Sequence, residues 1–314
     1  MAHSLEVIDG GFFTTVQDIG RYGYQGYGVP VSGALDQFAL RAGNILVGNP
    51  EGSAGLEITL IGPTIKFSFD TVVCVTGGNL GQLLNGEMFP LWEPVHVGKG
   101  SVISFSGQVE GVRAYLSVWP GINVPLVLGS RSTYVGAGIG GLDGRAIVEG
   151  DSIPVSENIS FPPSIGRRLS PNDLPSYRNQ AKLRAIIGPQ SDSFTEHGVS
   201  TFFSSSYEVT PYCNRMGYRL NGPIIQHKNG PDIISDGNPS GAIQVSGEGL
   251  PIILLADRGT TGGYTKIATV ISVDLSLIAQ AQAGDTLSFS SITVPEAHRI
   301  LTDQEDFLMA LQRS

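Results

Sequence analysis

The sequence predicts a mainly β fold made of two related β domains, and three observations carry that reading. Short Val/Ile/Thr-rich runs bounded by Gly, Pro, Asn or Asp recur along the 314 residues, the pattern of strands joined by tight turns. Gly (42) and Pro (19) together make up nearly a fifth of the chain and are scattered between those runs, which fits many short strands better than low complexity. The chain also echoes itself in order. Arg21-Tyr22-Gly23-Tyr24 with Gly28-Val29-Pro30 is matched by Arg215-Met216-Gly217-Tyr218 with Gly222-Pro223. Gly129-Ser130-Arg131-Ser132-Thr133-Tyr134 is matched by Ala256-Asp257-Arg258-Gly259-Thr260-Thr261, and Gly150-Asp151-Ser152-Ile153 by Gly284-Asp285-Thr286-Leu287. No fixed short period runs through the chain, so a solenoid is excluded.

The elements follow from the local pattern. Strands are predicted at Leu56 to Phe69, Thr71 to Thr76, Val102 to Phe105, Ala114 to Val118, Lys182 to Ile187, Ile252 to Leu255 and Thr269 to Val273. A helix is predicted from Ala34 to Val47, with Ser32 as N-cap, Leu35, Phe38, Ala39, Ala42, Ile45 and Leu46 on one face, and Gly48 as its stop. A second begins near Pro295, where Ala297, Ile300, Leu301, Leu308 and Leu311 recur at helical spacing. The polar segment Ser164 to Arg178 reads as a linker. The expected domains are residues 1–165, with a helical insertion, and 176–314.

Composition narrows the function. Nineteen Lys and Arg against 28 Asp and Glu leave a net charge of −9 with no basic stripe, which argues against a nucleic-acid partner. The N-terminal ten residues carry Glu6 and Asp9 and no apolar h-region, so no signal peptide is expected. No apolar run approaches the ~20 residues of a membrane span, and a cytoplasmic chain is expected. Cys74 lies in an apolar run and reads as a core thiol; Cys213 lies in a polar turn. The five histidines do not pair at metal-ligand spacing, so no metal is expected.

The most informative motif is Asp257-Arg258-Gly259-Thr260-Thr261-Gly262-Gly263-Tyr264, after the apolar run Pro251 to Ala256. Glycines that reach positive φ turn backbone N–H groups inward to make an anion nest, and an Arg beside a nest suits a carboxylate, carbamate or phosphate. Thr260, Thr261, Gly262 and Gly263 would then stabilise an amide or urea oxyanion. The plainer reading is a glycine-rich hairpin with an Asp–Arg surface pair. Arg131 and Arg258 hold equivalent places: either they bridge to Asp143 and Asp257, or they anchor an anion. Gln244, inside an apolar strand, is either a structural tie or a ligand contact. His227 is the acid/base candidate. The main ligand site is expected in the C-terminal half, around Asp236, Gln244, Asp257, Arg258, Thr260, Thr261 and Tyr264 with Arg215 and His227 nearby; Arg131 and Ser132 would form a residual pocket in the first half. Arg258→Ala is expected to slow turnover with little effect on folding. Gly259 to Lys266 lacks the Gly-Lys pair of a Walker A, and no Gly-x-Ser-x-Gly elbow exists.

Several of these segments resemble one family. Thr15 to Arg21, Gly28 to Asp36, Gly129 to Tyr134, Arg215 to Leu220, Gly241 to Val245 and the run through Tyr264 are similar to the biotin-dependent carboxyltransferase domain A/B proteins. That family includes the C subunit of bacterial 5-oxoprolinase (also KipI antagonist, or allophanate hydrolase subunit 2) and the first part of the carboxyltransferase domain of urea carboxylase. The resemblance covers roughly Glu6 to Phe289. It implies cyclophilin-like β-barrel domains, two 5-oxoprolinase partners (a KipI-like B subunit and a lactam-utilisation-like A subunit), and the opening of 5-oxoproline to glutamate with ATP. ATP would belong to the complex, since this chain has no Walker A. No Met-Lys-Met stretch exists, so biotin is not expected on this chain. Two departures are Trp119-Pro120-Gly121 in place of Gly-Gly before Ile, and Cys213-Asn214 where Ser-Asp often precedes Arg-Met-Gly-Tyr. Alternatives are a carboxyltransferase half acting on urea or a similar amide, and a regulatory chain that binds a KipI-like kinase inhibitor. Charged residues are only 15% and mean hydropathy is +0.09, so an apolar patch covered by the KipI-like partner, or by a second copy when the chain is alone, is expected.

Overall fold

A computed structural model describes residues 3–157 and 166–313; Ser164 and Ile165 of the expected linker lie outside them. The chain divides into two compact units, one of Met1–Tyr22, Ser32–Tyr177 and Asp306–Ser314, the other of Gly23–Val31 and Arg178–Glu305. Among the described residues no helix is long and apolar enough to cross a membrane.

In the first unit alternation sorts side chains between two layers. A six-stranded sheet runs in the order Ser152–Pro154, Ser4–Asp9, Thr64–Phe67, Val102–Phe105, Gln82–Leu84, Glu87–Met88. A five-stranded sheet runs Phe13–Gln17, Gly55–Thr59, Glu110–Val118, Thr71–Asn79, Val95–Val97. Successive residues of a strand face opposite ways. Val73, Val75, Ala114, Leu116 and Val118 therefore join Leu5, Phe67 and Ile103 in one core, while Val72, Cys74 and Tyr115 face helix α1 (Gln37–Val47). Burial pushes the Cys74 thiol far above its ordinary pKa, as a core thiol requires.

Helix α1 starts later than expected. Ser32 is not its N-cap: it sits at φ 55 in a turn, where a Cβ on the next residue, Gly33, would come within 2.9 Å of the Gly20 nitrogen. The cap is Asp36, whose carboxylate accepts from the Ala39 N–H at 3.0 Å. Gly48 closes the helix at φ 85. Beneath it lies a buried polar chain. Register sets Tyr115 opposite Glu57; its hydroxyl donates to Glu57 Oε2 at 2.8 Å and accepts from the Asp36 N–H at 2.8 Å. Tyr177 donates to Asp36 Oδ2 at 3.1 Å. Burial, first, and the neighbouring carboxylates raise the pKa of both phenols, so both stay protonated donors.

The second unit is a closed barrel in the order Gln180–Ile187, Lys266–Val270, Ala242–Val245, Pro251–Leu254, Gly217–Asn221, Ser206–Cys213, Thr286–Ser291. It closes by parallel pairing of its last strand with Gln180–Ile187. Leu183, Val209, Leu220, Ile243, Ile253 and Leu287 are fully or almost fully buried. Helix α2 (Glu196–Ser204), which the sequence pattern does not announce, is capped by Thr195 and stacks Phe202 on Phe289 at 4.5 Å. Short α3 (Leu275–Ala279) is likewise an addition to the expected elements. Helix α4 (Val294–Arg313) fulfils the C-terminal expectation.

Two predicted strands are corrected. Leu56 to Phe69 breaks into Gly55–Thr59 and Thr64–Phe67 in different sheets, because Leu60 turns at φ 60. The run predicted from Thr269 to Val273 is a strand from Lys266 that ends at Val270, followed by a 3-10 turn, Ser272–Asp274.

The internal echo has a geometric counterpart. Gly150 N–H donates to Val7 O and Val7 N–H to Asp151 O, both at 2.9 Å; Gly284 N–H donates to Val209 O at 2.9 Å and Val209 N–H to Asp285 O at 2.8 Å. The glycines sit at φ 87 and 91. Asp151 and Asp285 each accept from the N–H three residues before them. Two halves of one chain thus make the same turn with the same bonds.

Tyr115→Phe removes one buried hydroxyl and leaves the Asp36 N–H and a Glu57 oxygen short of a partner. It should lower unfolding stability by about 1–3 kcal/mol, read as a drop in urea midpoint with unchanged slope. An unchanged midpoint would refute the role given to this chain of bonds.

Candidate functional site

The run Asp257–Tyr264 does not form the expected nest. Asp257 and Arg258 turn away from the strand Pro251–Leu254, and Thr261–Tyr264 pairs antiparallel with Asp232–Gly237 as a separate two-stranded ribbon. None of Gly259, Gly262 and Gly263 has a positive φ. The nest reading is therefore corrected, because Gly262 and Gly263 extend along a ladder. Gly262 is glycine for another reason: a Cβ there would lie 2.6 Å from Gln244 Nε2 and 2.8 Å from Asn238 Nδ2.

The arginines satisfy turns. Arg215 donates Nε and Nη2 to the two carboxylate oxygens of Asp257 at 2.9 and 3.2 Å, with both side chains buried. Asp257 therefore pairs with Arg215, not with Arg258. Arg258 is buried and donates to the carbonyls of Asn238 (2.7 Å) and Leu255 (3.0 Å). A turn leaving a strand presents carbonyls with no ladder partner, and a five-donor guanidinium can satisfy several. Arg258→Ala consequently strips partners from buried backbone, which corrects the expectation that folding would hardly notice. Arg131 donates to Val124 O and Asn123 Oδ1, both at 2.9 Å, and Asp143 lies 3.7 Å from Arg145 instead. Ahead of Arg215, Asn214 accepts from the Met216 N–H at 2.8 Å, so the departure at that position keeps the turn.

Asn238, which the sequence reading missed, joins these pieces. Its N–H donates to Thr260 O (2.9 Å), its Nδ2 to Gly259 O (3.1 Å), its Oδ1 accepts from Gln244 Nε2 (3.3 Å) and its carbonyl accepts from Arg258. Gln244 thus has a structural tie at one end of its amide.

Beside Gln244 lies a second missed residue. Gln244 and Lys266 are cross-strand partners. The Lys266 side chain is only 2% exposed and its ammonium donates to Asp236 Oδ2 at 3.0 Å, whereas Asp236 is 55% exposed. Gln190 bridges the pair: its Nε2 donates to Asp236 at 3.4 Å and its Oε1 accepts from the Lys266 N–H at 3.2 Å. The bond from Lys266, the Gly237 N–H and the lysine charge hold the Asp236 carboxyl below its ordinary range. The strand bearing Asp236 bulges: Asp232 faces Tyr264 and Asp236 faces Gly262, so four steps answer two. Ile234, within the bulge, is 95% exposed. Thr261 and Tyr264 are exposed on the ribbon's other strand. His227 bonds Thr265 Oγ1 at 3.0 Å and lies against Phe194 with ring centroids 4.6 Å apart. Burial lowers its pKa, partly offset by Asp232, so it is a neutral imidazole near pH 7.

In the first unit Ser132 is fully buried. Asp18 accepts from Ser130 Oγ (2.6 Å), Ser132 Oγ (2.5 Å), the Arg131 N–H (2.6 Å) and the Gly20 N–H (2.8 Å), and Arg21 donates to Ser132 O. These bonds commit the Ser132 hydroxyl to a loop clamp. An open groove of about 610 Å³ on the barrel wall, edged by Glu208, Tyr212, Arg219 and Glu248, contains none of the expected site residues. Among the described residues no group of three His, Cys, Asp or Glu side chains is placed to hold a metal.

Residues 27–291 match the family described as carboxyltransferase domain, subdomain A and B. The chain is 35% identical to the C subunit of 5-oxoprolinase from Escherichia coli K12 over 98% of its own length and 97% of that protein's. It is 33% identical to the corresponding 5-oxoprolinase C subunit of Haemophilus influenzae over 98% of both. The crystal structure of K. lactis urea amidolyase superposes with a TM-score of 0.92 at 33% identity, over 98% of this chain but only 20% of that one.

Two outcomes follow from the site's geometry. Gly262→Ala should cost about 1–3 kcal/mol through overpacking against Gln244 and Asn238, whereas Gly237→Ala, whose Cβ meets nothing within 4 Å, should change stability by less than about 0.5 kcal/mol; equal losses would contradict the close approach. Because the folded pKa of Asp236 is lowered, its pair contributes fully above the unfolded aspartate value, and the contribution fades as pH falls through the folded value. In Lys266→Met, carboxyl-carbon NMR titration should move Asp236 upward toward an ordinary aspartate, with the Gly237 N–H still holding it somewhat below. A titration that does not move would show that the ammonium is not what holds it down.

Proposed function

The chain belongs to the family of the carboxyltransferase domain, subdomains A and B, and from that membership we propose that it is the C subunit of an ATP-dependent 5-oxoprolinase that opens 5-oxoproline to L-glutamate. The observation that carries this is end-to-end coverage. The chain matches 97% of the Escherichia coli protein's length, but only 20% of the urea amidolyase chain. Correspondence over nearly the whole length of a protein that is itself a subunit supports this reading better than correspondence to one fifth of a longer carboxylase. The partners would be the KipI-like and lactam-utilisation-like subunits, in the cytoplasm. ATP would be bound at the level of the complex, and biotin would not be attached to this chain.

The chemistry asks for donors at a carbonyl oxygen, either directly or after its phosphorylation, because a lactam amide opens only when charge on that oxygen is stabilised. At the ribbon end of the second unit, Thr260, Thr261, Tyr264 and Gln244 supply hydroxyl and amide groups. Arg215, Asp257 and Arg258 fix the loop that leads to Thr260 and Thr261, Gly262 and Gly263 set the ribbon beside Gln244, and Asp236 and His227 are titratable groups at its margins. Exposed apolar side chains, Phe12 and Ile61 in the first unit and Ile234 in the second, favour an assembly with partner subunits. Two observations favour the carboxyltransferase reading, the family match over residues 27–291 and the 0.92 superposition on urea amidolyase. It requires a biotin carrier and a carboxylase supplied by other chains.

Reconstitution decides between them. This chain, assembled with its KipI-like and lactam-utilisation-like partners and given ATP and 5-oxoproline, should release glutamate, and Thr261→Val should slow release about a hundredfold in an intact complex. No glutamate from a properly assembled complex, or carboxylation of urea in the presence of carboxybiotin, would overturn the assignment.

A further inference from the structure

Lys266 is the most unusual charged group in the second unit. A buried ammonium carries three donors and a large desolvation cost, which is met only when good acceptors surround it. Here the described residues offer it one acceptor, Asp236 Oδ2 at 3.0 Å. That acceptor is a poor permanent partner: it sits on the bulged strand of a two-stranded ribbon and is more than half exposed. Water competes well for such a carboxylate. The lysine backbone is held: it lies in a barrel strand, paired with Gln244, and its N–H donates to Gln190 Oε1. Gln190 also donates to Asp236 Oδ2 at 3.4 Å, so one amide contacts both the lysine backbone and its carboxylate partner.

We propose that Lys266 is the anchor for a small-molecule carboxylate, and that Asp236 occupies the anchor when no ligand is present. A ligand carboxylate carries the same charge and the same two oxygens as the side chain it would replace. It would meet an ammonium with two donors to spare and, alongside, the cross-strand Gln244. The exchange keeps the buried cation neutralised throughout, so no bare charge is left inside the barrel. This deepens the functional reading above and rests on it for the identity of the ligand: 5-oxoproline bears one carboxylate next to its lactam ring. Anchoring that carboxylate at Lys266 would leave the ring amide for donors on the ribbon. Among the titratable groups, Lys266 thereby takes the anion-holding role that the sequence suggested for Arg258.

The test is binding to the full chain, measured by calorimetry with two probes, L-5-oxoproline and its carboxylate-free counterpart 2-pyrrolidinone. The chain should bind 5-oxoproline saturably and 2-pyrrolidinone about ten- to a hundredfold more weakly, the loss expected for one charge-assisted contact. Lys266→Met should weaken 5-oxoproline to the level of 2-pyrrolidinone. Asp236→Asn is the discriminating variant: removing the competing carboxylate should tighten 5-oxoproline, whereas a purely structural ion pair gives no gain. If Lys266→Met melts early, Lys266→Gln replaces it: it removes the charge but keeps a polar side chain, and it should likewise weaken 5-oxoproline to the level of 2-pyrrolidinone. Equal affinity for both probes, undiminished binding in Lys266→Met, or weaker binding in Asp236→Asn would each overturn the proposal. Glutamate release by the wild-type complex reports separately on the functional reading. Release that persists unchanged in Lys266→Met would leave that reading standing and sink this one.

Discussion

Loops that leave a strand and do not enter another ladder must find partners for their backbone groups, and that constraint organises both units. In the second, the segment from Asp257 to Thr260 is held by Arg215 on the Asp257 carboxylate, by Arg258 on two carbonyls, and by Asn238, whose side chain donates to Gly259 O and whose backbone N–H donates to Thr260 O. In the first, the loop from Ser130 to Ser132 is held by Asp18 and Arg21. Each unit therefore places a buried arginine from one echoed motif against the other echoed motif. An unsatisfied buried backbone group costs about as much as a lost hydrogen bond, so these side chains are not free to vary independently of the loop.

The same satisfaction logic separates scaffold from candidate chemistry. Arg215, Asp257, Arg258, Ser132 and Arg131 spend their donors or acceptors on this protein itself. Lys266 differs in kind: its charge is buried and its carboxylate partner, Asp236, is more than half exposed. Gln244 stands between the two groups, tied to Asn238 at one end and paired across the ladder with Lys266. Polar residues with spare capacity at the edge of a well-satisfied network are where a ligand can enter without breaking the fold.

Fold and family agree here, but they answer different questions. A closed barrel and a two-sheet unit explain how the side chains are presented. They do not name a substrate, since one architecture serves several chemistries. The superposition on urea amidolyase and the end-to-end match to 5-oxoprolinase subunits describe one scaffold used in two settings.

Local sequence by itself determined the strand-rich character and several of the strands, the existence of helices α1 and α4, the glycine stop at Gly48 and the internal echo. Each rests on interactions within a few residues, or on alternation that every strand repeats. The Gly150 and Gly284 turns were legible for that reason: both halves need positive φ at the same step. Tertiary structure alone decided which arginine faces Asp257, that Asp36 rather than Ser32 caps α1, and that Gly262 serves a close approach rather than a nest. It also decided the importance of Asn238 and Lys266. Asn238 lies 28 residues from Lys266 in the chain, and nothing in either neighbourhood announces that a barrel register and a two-residue bulge bring Gln190, Asp236 and Gln244 to one lysine. Partner choice for buried polar groups is settled by long-range register, which the order of residues does not display.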